Sequence, residues 1–169
     1  MSTLNKVTKT IAKILEVLCF IGAGIALICT IACVAFNGQI ASLIASNFDT
    51  ITVGGLSAAD AGVTPDSLAH SIIAIFIGGI ITSSLVAMIF RNIHLIFQTT
   101  EGKTWFSKGE TPFQADNVRM VREIGIFAIA IPFVELISGF AYAALAQSTF
   151  HGSLNLTSLI FGLVILCLS

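Results

Sequence analysis

Charged residues are scarce in this chain of 169 residues. Asp, Glu, Lys and Arg make up 10% of it, hydrophobic residues make up 56%, and the mean hydropathy is +0.97. Soluble domains carry roughly 25% charged residues, so this composition excludes a soluble enzyme and a disordered chain and predicts a protein that folds in lipid. The net charge of −1 also argues against direct binding of nucleic acid.

Sequence motifs of catalysis are missing as well. The chain has no Cys-x-x-Cys pair, no His-Glu-x-x-His motif, no nucleophile elbow and no phosphate-binding loop. The four cysteines lie in apolar runs, where cysteine is typically a small buried hydrophobic residue: Cys19, Cys29, Cys33 and Cys167. We therefore expect no enzymatic activity, no cofactor and no metal site.

Long apolar runs dominate what is present. A bilayer core about 30 Å thick is crossed by about 20 apolar residues of helix. The pattern predicts an all-α polytopic membrane protein, a single domain over 1–169 with four transmembrane helices. The helices are expected at 11–36, 71–97, 112–147 and 154–168, joined by an external loop at 37–70, with a short helix within 39–48, and a cytoplasmic loop at 98–111.

The basic residues predict the orientation of these helices. All eight lie before or at the start of the first helix, at the end of the second, in the loop that follows it, or in the cytoplasmic start of the third: Lys6, Lys9, Lys13, Arg91, Lys103, Lys108, Arg119 and Arg122. The external loop has no Lys or Arg. By the positive-inside rule both termini are then cytoplasmic.

The segment between the second and third helices combines a helix start with aromatic residues. Thr111-Pro112-Phe113-Gln114 matches a capping box, which predicts that the third helix begins before the membrane. Trp105 and Phe106 lie near Lys103 and Lys108, a combination typical of the headgroup level. The candidate surface for a cytoplasmic partner consists of Trp105, Phe106, Phe113, Asn117 and Arg119.

The same segment resembles a known family. Gly109-Glu110-Thr111-Pro112-Phe113, Asn117-Val118-Arg119 and Ile124-Gly125 are similar to the G-x-P-F, N-V-R and I-G elements of the YoaS-like family, with Thr111 as an additional residue. This is a domain-of-unknown-function family of small four-helix bacterial membrane proteins, often encoded beside a helix-turn-helix regulator. The resemblance implies a multi-pass protein of the bacterial cytoplasmic (inner) membrane and a regulator of that type as a partner.

Glu135 is a carboxyl group near the midpoint of the third helix, three residues after Pro132. An ionised group at this depth costs about 2.5–3.5 kcal/mol, so we expect it to face the bundle interior. Polar residues at comparable depth on the second helix are Thr82, Ser83 and Ser84. Two interpretations stay open: an ion or proton site, or a protonated carboxyl that holds helices together by hydrogen bonds.

Pro132 also deprives the carbonyl of Ala128 of its helical donor, so that oxygen needs another partner.

Glu16 and Arg91 form a second candidate polar site. Both are expected about 7–11 Å inside the cytoplasmic boundary, where they could form an ion pair. The alternative is that Arg91 extends alone to the headgroups.

The expected function is a non-enzymatic membrane sensor or regulator that engages a cytoplasmic partner such as a helix-turn-helix regulator. Two alternatives stay open: a small ion- or proton-coupled transporter that uses Glu135, and an immunity protein against a membrane-active peptide.

Small residues four apart, such as Gly22 and Ala26 or Ser158 and Gly162, let helices approach closely. They are typical of a compact bundle and equally of a homo-oligomer.

Overall fold

The structure is a computed structural model that describes residues 3–48, 51–53, 56–57, 64–104, 115–146 and 155–169. Helices account for most of these residues. The elements in chain order are α1 (Thr3–Ala35), α2 (Asn37–Ser46), β1 (Thr52–Val53), β2 (Leu56–Ser57), α3 (Pro65–Thr100), α4 (Ala115–Ala146) and α5 (Leu156–Leu168). The two short strands pair in antiparallel register, with Thr52 opposite Ser57 and Val53 opposite Leu56.

Three of the helices are long and apolar enough to cross a bilayer. The apolar stretches are Asn5–Ala35, Pro65–Thr100 and Ala115–Leu145. At 1.5 Å per residue the 36 residues of α3 reach about 54 Å, well beyond the hydrocarbon core. The 13 residues of α5 reach only about 20 Å. The chain is thus a predominantly helical membrane protein.

The packing of the helices is the reverse of that in a soluble protein. Several of the buried hydrophobic residues are alanines, such as Ala12, Ala87 and Ala128, whereas large aliphatic side chains point outward. Ile28 and Ile137 are each 67% exposed. Small residues at helix contacts and large apolar residues on the outside are expected where the surrounding solvent is lipid.

α3 begins earlier than the sequence pattern predicts. The backbone N–H of Ser67 donates to Oγ1 of Thr64 at 3.2 Å, and the backbone N–H of Thr64 donates to Oγ of Ser67 at 3.0 Å. Thr64 therefore acts as the cap and Pro65 takes the first helical position, where its missing N–H is not needed. The predicted external loop through residue 70 is too long at this end, because the helix extends back across it.

The chain divides into two compact units. Unit 1 consists of Met1–Gly22, Thr82–Phe133 and Asn155–Ser169, and unit 2 consists of Ala23–Ile81 and Val134–Leu154. Helices α1, α3 and α4 each contribute residues to both units. The hydropathy pattern, which predicts a single domain, gives no sign of this division.

Unit 2 contains a small apolar cluster. Ala41 and Ile44 of α2 and Leu68 and Ala69 of α3 are its buried members, and Tyr142 of α4 packs against them. The short helix expected within 39–48 thus exists as α2, and its apolar face is what joins it to α3.

In unit 1, α4 and α5 approach each other closely at two glycines. A Cβ on Gly162 would lie 2.6 Å from Cγ1 of Ile129 and 2.9 Å from the carbonyl oxygen of Gly125. Near this contact Oγ of Ser158 donates a hydrogen bond of 2.9 Å to the carbonyl of Ala128. Ser158 therefore supplies the donor that Pro132 cannot provide.

Candidate functional site

A cavity of about 560 Å³ lies between α3 and α4 in unit 1. Its apolar lining comes from Met88, Leu95, Met120 and Phe127. Methionine and phenylalanine side chains adapt to irregular apolar ligands, and the volume falls within the range of about 300–1,000 Å³ found for small-molecule sites. The cavity therefore has the size and the apolar surface to hold part of an amphiphilic molecule.

The polar lining of this cavity is built around Glu123. Nε of Arg119 lies 3.0 Å from Oε1 of Glu123, one helical turn away on α4. Nδ2 of Asn92, a buried residue of α3, donates to Oε2 of the same carboxylate at 3.1 Å. The Asn92 bond thus fixes α4 against α3, and Glu123 holds Arg119 on the cavity wall.

Arg91 and Asp116 complete the charged lining. Arg91 is exposed and Asp116 is half-buried. Within the described ranges neither side chain takes part in an ion pair. One cationic and one anionic group therefore line the cavity without a protein counterion in that part of the chain.

A second polar cluster joins the N-terminal helix to the end of α3. One oxygen of Glu101, Oε2, accepts from Nζ of Lys9 at 2.8 Å and from Nζ of Lys103 at 2.7 Å. The side chain of Glu101 is only 5% exposed. Lys103 first, and Lys9 second, lower the pKa of Glu101 from 4.5 to about 2.

His94 extends this cluster along α3. Its Nδ1–H donates to the carbonyl of Lys9 at 3.2 Å, and Nε2 accepts from the amide of Gln98 at 3.0 Å. With the Gln98 amide nitrogen facing the ring, the two contacts fit an imidazole that carries its proton on Nδ1. Two contacts thus connect α1 to α3 and the residue that follows it: Lys9 to Glu101, and His94 to the carbonyl of Lys9.

The predicted ion pair between Glu16 and Arg91 is not observed among the described residues. Nζ of Lys13 instead lies 3.1 Å from both carboxylate oxygens of Glu16. Lys13 is one turn away on the same helix and so is always within reach, while Arg91 lines the cavity against α4. The pairing of Glu16 is therefore local, and Arg91 takes part in a different site.

The predicted partner surface is only partly described. Trp105, Phe106 and Phe113 lie outside the described residues, as does the capping box at 111–114. Arg119 is exposed, but Asn117 is 3% exposed and thus cannot belong to an open surface. Polar residues occupy both sides of the first turns of α4, so the sequence gives no indication that this amide turns inward.

Glu135 is an exposed residue of α4. At 100° per residue it lies on the same side of the helix as Ser138 and Tyr142, which are half-buried, and roughly opposite the exposed Ile137 and Phe140. No described residue forms a hydrogen bond or ion pair with it. Its carboxyl group is thus accessible on the more packed side of α4.

Thr82, Ser83 and Ser84 are half-buried residues of α3. They belong to unit 1, whereas Glu135 belongs to unit 2. Their grouping with Glu135 into one polar site stays a prediction.

Several residues of these sites escape detection in the sequence. Asn92, Asp116, Glu123 and Glu101 each look like an ordinary polar residue near a helix end. The available signal was that Arg91 and Asn92 follow an uncharged run on α3 and that Glu123 precedes one on α4. Charges that begin at the same membrane depth on adjacent helices can meet.

Comparisons with protein families, with curated proteins and with solved structures found no match to this chain.

Proposed function

We propose that this chain is a four-span protein of the bacterial cytoplasmic membrane, with both termini in the cytoplasm, and that it regulates a cytoplasmic partner without catalysing a reaction. The observation that carries this proposal is the distribution of basic side chains. Every Lys and Arg in the described part of the chain lies in unit 1: Lys6, Lys9, Lys13, Arg91, Lys103, Arg119 and Arg122. By the positive-inside rule these residues belong on the cytoplasmic side.

Some of these basic side chains are free to meet a partner. The side chain of Arg119 is 77% exposed and that of Lys103 is 63% exposed. Each forms one ion pair, Arg119 through Nε to Glu123 and Lys103 through Nζ to Glu101, and most of each side chain stays accessible. An acidic face of a cytoplasmic protein, such as the helix-turn-helix regulator implied by the YoaS-like resemblance, fits this surface by charge.

Purification from native membranes after cross-linking tests the proposal. We expect one protein to be recovered in stoichiometric amount with the wild type and to be lost with the double variant Arg119→Gln, Arg122→Gln. The matched control is Lys6→Gln, which removes an exposed charge from α1 and should leave recovery unchanged. Recovery of lipids alone from wild type and variants would contradict a regulatory partner.

The exposure of Glu135 favours a second candidate function, ion- or proton-coupled transport. A carboxyl group that is accessible on the packed side of a membrane helix can take up a cation, whereas a carboxyl that only joins helices should be enclosed and bonded. The immunity function stays a prediction, because no described residue bears on it.

A melting series distinguishes proton uptake by Glu135 from a structural role. If Glu135 exchanges protons, the melting temperature of the detergent-solubilised wild type should change between about pH 5 and pH 8, and Glu135→Gln should abolish the change. Asp66→Asn, at the exposed start of α3, serves as the control acid. Identical profiles for wild type and Glu135→Gln would exclude transport through this residue.

A further inference from the structure

The cavity between α3 and α4 presents opposite charges that no described residue neutralises. Arg91 and Asp116 both line it, and neither is in an ion pair among the described residues. Arg119, the other cation of the lining, is already held by Glu123. The charges of these four residues sum to zero, so a ligand with one negative and one positive group balances Arg91 and Asp116 better than an anion does.

The position of the cavity along the helices matches the boundary between headgroups and hydrocarbon. On α3 the residues 71–90 carry no charge and span about 30 Å, which is the thickness of the bilayer core, and Arg91 follows at once. On α4 the uncharged run begins at Ile124, directly after Glu123. The charged groups of the lining thus lie at headgroup level, while Met88 and Phe127 lie on the hydrocarbon side.

We propose that this cavity binds a zwitterionic phospholipid, with its phosphate on Arg91, its primary ammonium on Asp116 and the start of an acyl chain against Met88 and Phe127. A guanidinium binds phosphate oxygens in a bidentate manner, and a carboxylate accepts from an ammonium. The hydrophobic wall adds the affinity that a headgroup alone lacks. This site does not depend on the cytoplasmic partner proposed above.

Binding of defined lipids to the delipidated protein in detergent tests the site. The probes are dioleoyl phosphatidylethanolamine, dioleoyl phosphatidylglycerol, dioleoylglycerol and soluble phosphoethanolamine, with dissociation constants measured by native mass spectrometry and by thermal shift. We expect phosphatidylethanolamine to bind most tightly. Arg91→Gln should raise the dissociation constants of both phospholipids at least about tenfold. Asp116→Asn should raise the dissociation constant of phosphatidylethanolamine alone by a similar factor.

Two comparisons keep the test independent of folding. Retained binding of phosphatidylglycerol by Asp116→Asn shows that this variant is folded, and Arg91→Lys, which keeps the charge, should recover part of the affinity. Arg122→Gln is the matched control, because Arg122 is exposed on α4 and does not line the cavity.

Three outcomes would overturn the proposal. Equal affinity of wild type and Arg91→Gln for phosphatidylethanolamine would exclude the phosphate contact. If dioleoylglycerol binds as tightly as phosphatidylethanolamine, the site is an apolar crevice that does not recognise the headgroup. Soluble phosphoethanolamine bound as tightly as the lipid would assign the cavity to a water-soluble phosphoamine instead.

Discussion

At the scale of single residues, Glu101 is the side chain that connects three segments. It accepts from Lys9 on α1 and from Lys103 beyond the end of α3 through the same oxygen. Because both partners are cations, ionised Glu101 is favoured strongly over its protonated form, which is why its pKa falls to about 2. The cluster is therefore expected to stabilise the fold only while Glu101 is charged.

This charge dependence predicts a specific effect of pH on stability. A carboxyl whose pKa is lowered on folding contributes fully above its unfolded pKa of 4.5 and loses that contribution as the pH falls toward its folded pKa of about 2. Glu101→Gln should thus melt below the wild type near neutral pH, and the difference should shrink as the pH is lowered from about 4.5 to about 2. Melting curves of the detergent-solubilised proteins measure it.

Lys6→Gln is the control for this pH series, since Lys6 is an exposed lysine on α1 and takes part in no ion pair of the described residues. Its melting difference from the wild type should be small at every pH. A difference for Glu101→Gln that stays constant down to about pH 2 would show that the loss comes from packing rather than from charge.

Ser158 and Pro132 provide a second prediction at this scale. Ser158→Ala removes the donor to the carbonyl of Ala128 and should lower the free energy of unfolding by about 0.6 kcal/mol, the mean for hydrogen bonds between membrane helices, and by no more than about 1.7 kcal/mol. Pro132→Ala restores an N–H to which this carbonyl can bond within α4. The cost of Ser158→Ala should then fall toward zero in the Pro132→Ala background.

A double-mutant cycle of the unfolding free energies measures this coupling. Because Pro132 is fully buried, Pro132→Ala leaves a cavity, and the free-energy cost of that cavity cancels in the cycle. Equal costs of Ser158→Ala in both backgrounds would mean that the carbonyl of Ala128 does not depend on Ser158.

At the scale of elements, the contact of α4 with α5 is set by glycine. A Cβ on Gly162 would lie 2.9 Å from the backbone nitrogen of Ile129 and 2.9 Å from the oxygen of Gly125, and backbone atoms cannot rotate aside. Gly162→Ala should force the two helices apart and cost about 1–3 kcal/mol, which is typical of overpacking. Unfolding in mixed micelles measures the loss.

The chain offers matched controls for this substitution. Among the described residues, no atom beyond the local backbone of the same helix lies within 4 Å of a Cβ placed on Gly22 of α1 or Gly79 of α3. Gly22→Ala and Gly79→Ala should therefore be neutral or raise stability by up to about 1 kcal/mol through helix propensity. A stability of Gly162→Ala equal to that of these two variants would contradict close packing of α4 on α5.

How far the sequence predicts these elements depends on the type of signal. An apolar run of about twenty residues or more is typical of a long helix in lipid, even where one acid interrupts it as Glu135 does in α4. The sequence therefore predicts α1, α3 and α4, and Pro132 predicts that the Ala128 carbonyl needs a new donor. The identity of that donor, Ser158, is not predictable, because small residues on every helix look equally suitable. The start of α3 is harder to predict, because Thr64-Pro65 shares the Thr-Pro pair of Thr111-Pro112 but lacks the Gln that completes a capping box.

The sites were less predictable than the helices. Sequence spacing alone paired Glu16 with Arg91 by depth, but depth does not say which helix lies beside which. Lys13 lies within reach of Glu16 on the same helix, and Arg91 turns toward α4. Polar contacts between helices depend on helix rotation, which an apolar sequence with little periodicity does not specify.

At the scale of the whole molecule, the length of α5 bears on the number of times that the chain crosses the membrane. Its 13 residues span about 20 Å, which leaves about 10 Å of the hydrocarbon core uncovered. Local thinning of the bilayer compensates a short helix at a modest cost. Its hydrogen bond to α4 and the glycine contact also hold α5 against a helix that is long enough to span, which favours the proposed four-span topology.

Labelling of single cysteines in a background without the four native ones decides between three and four spans. If α5 crosses and both termini are cytoplasmic, Ser169→Cys should react with a membrane-impermeant maleimide only after the cells are permeabilised, and Ser57→Cys in the external segment should react in intact cells. If α5 does not cross, the end of the chain lies outside and both positions should react in intact cells. Lys108→Cys is the internal control, because the positive-inside rule places it in the cytoplasm in either case. Reaction of Lys108→Cys in intact cells, with Ser57→Cys protected, would reverse the proposed orientation altogether.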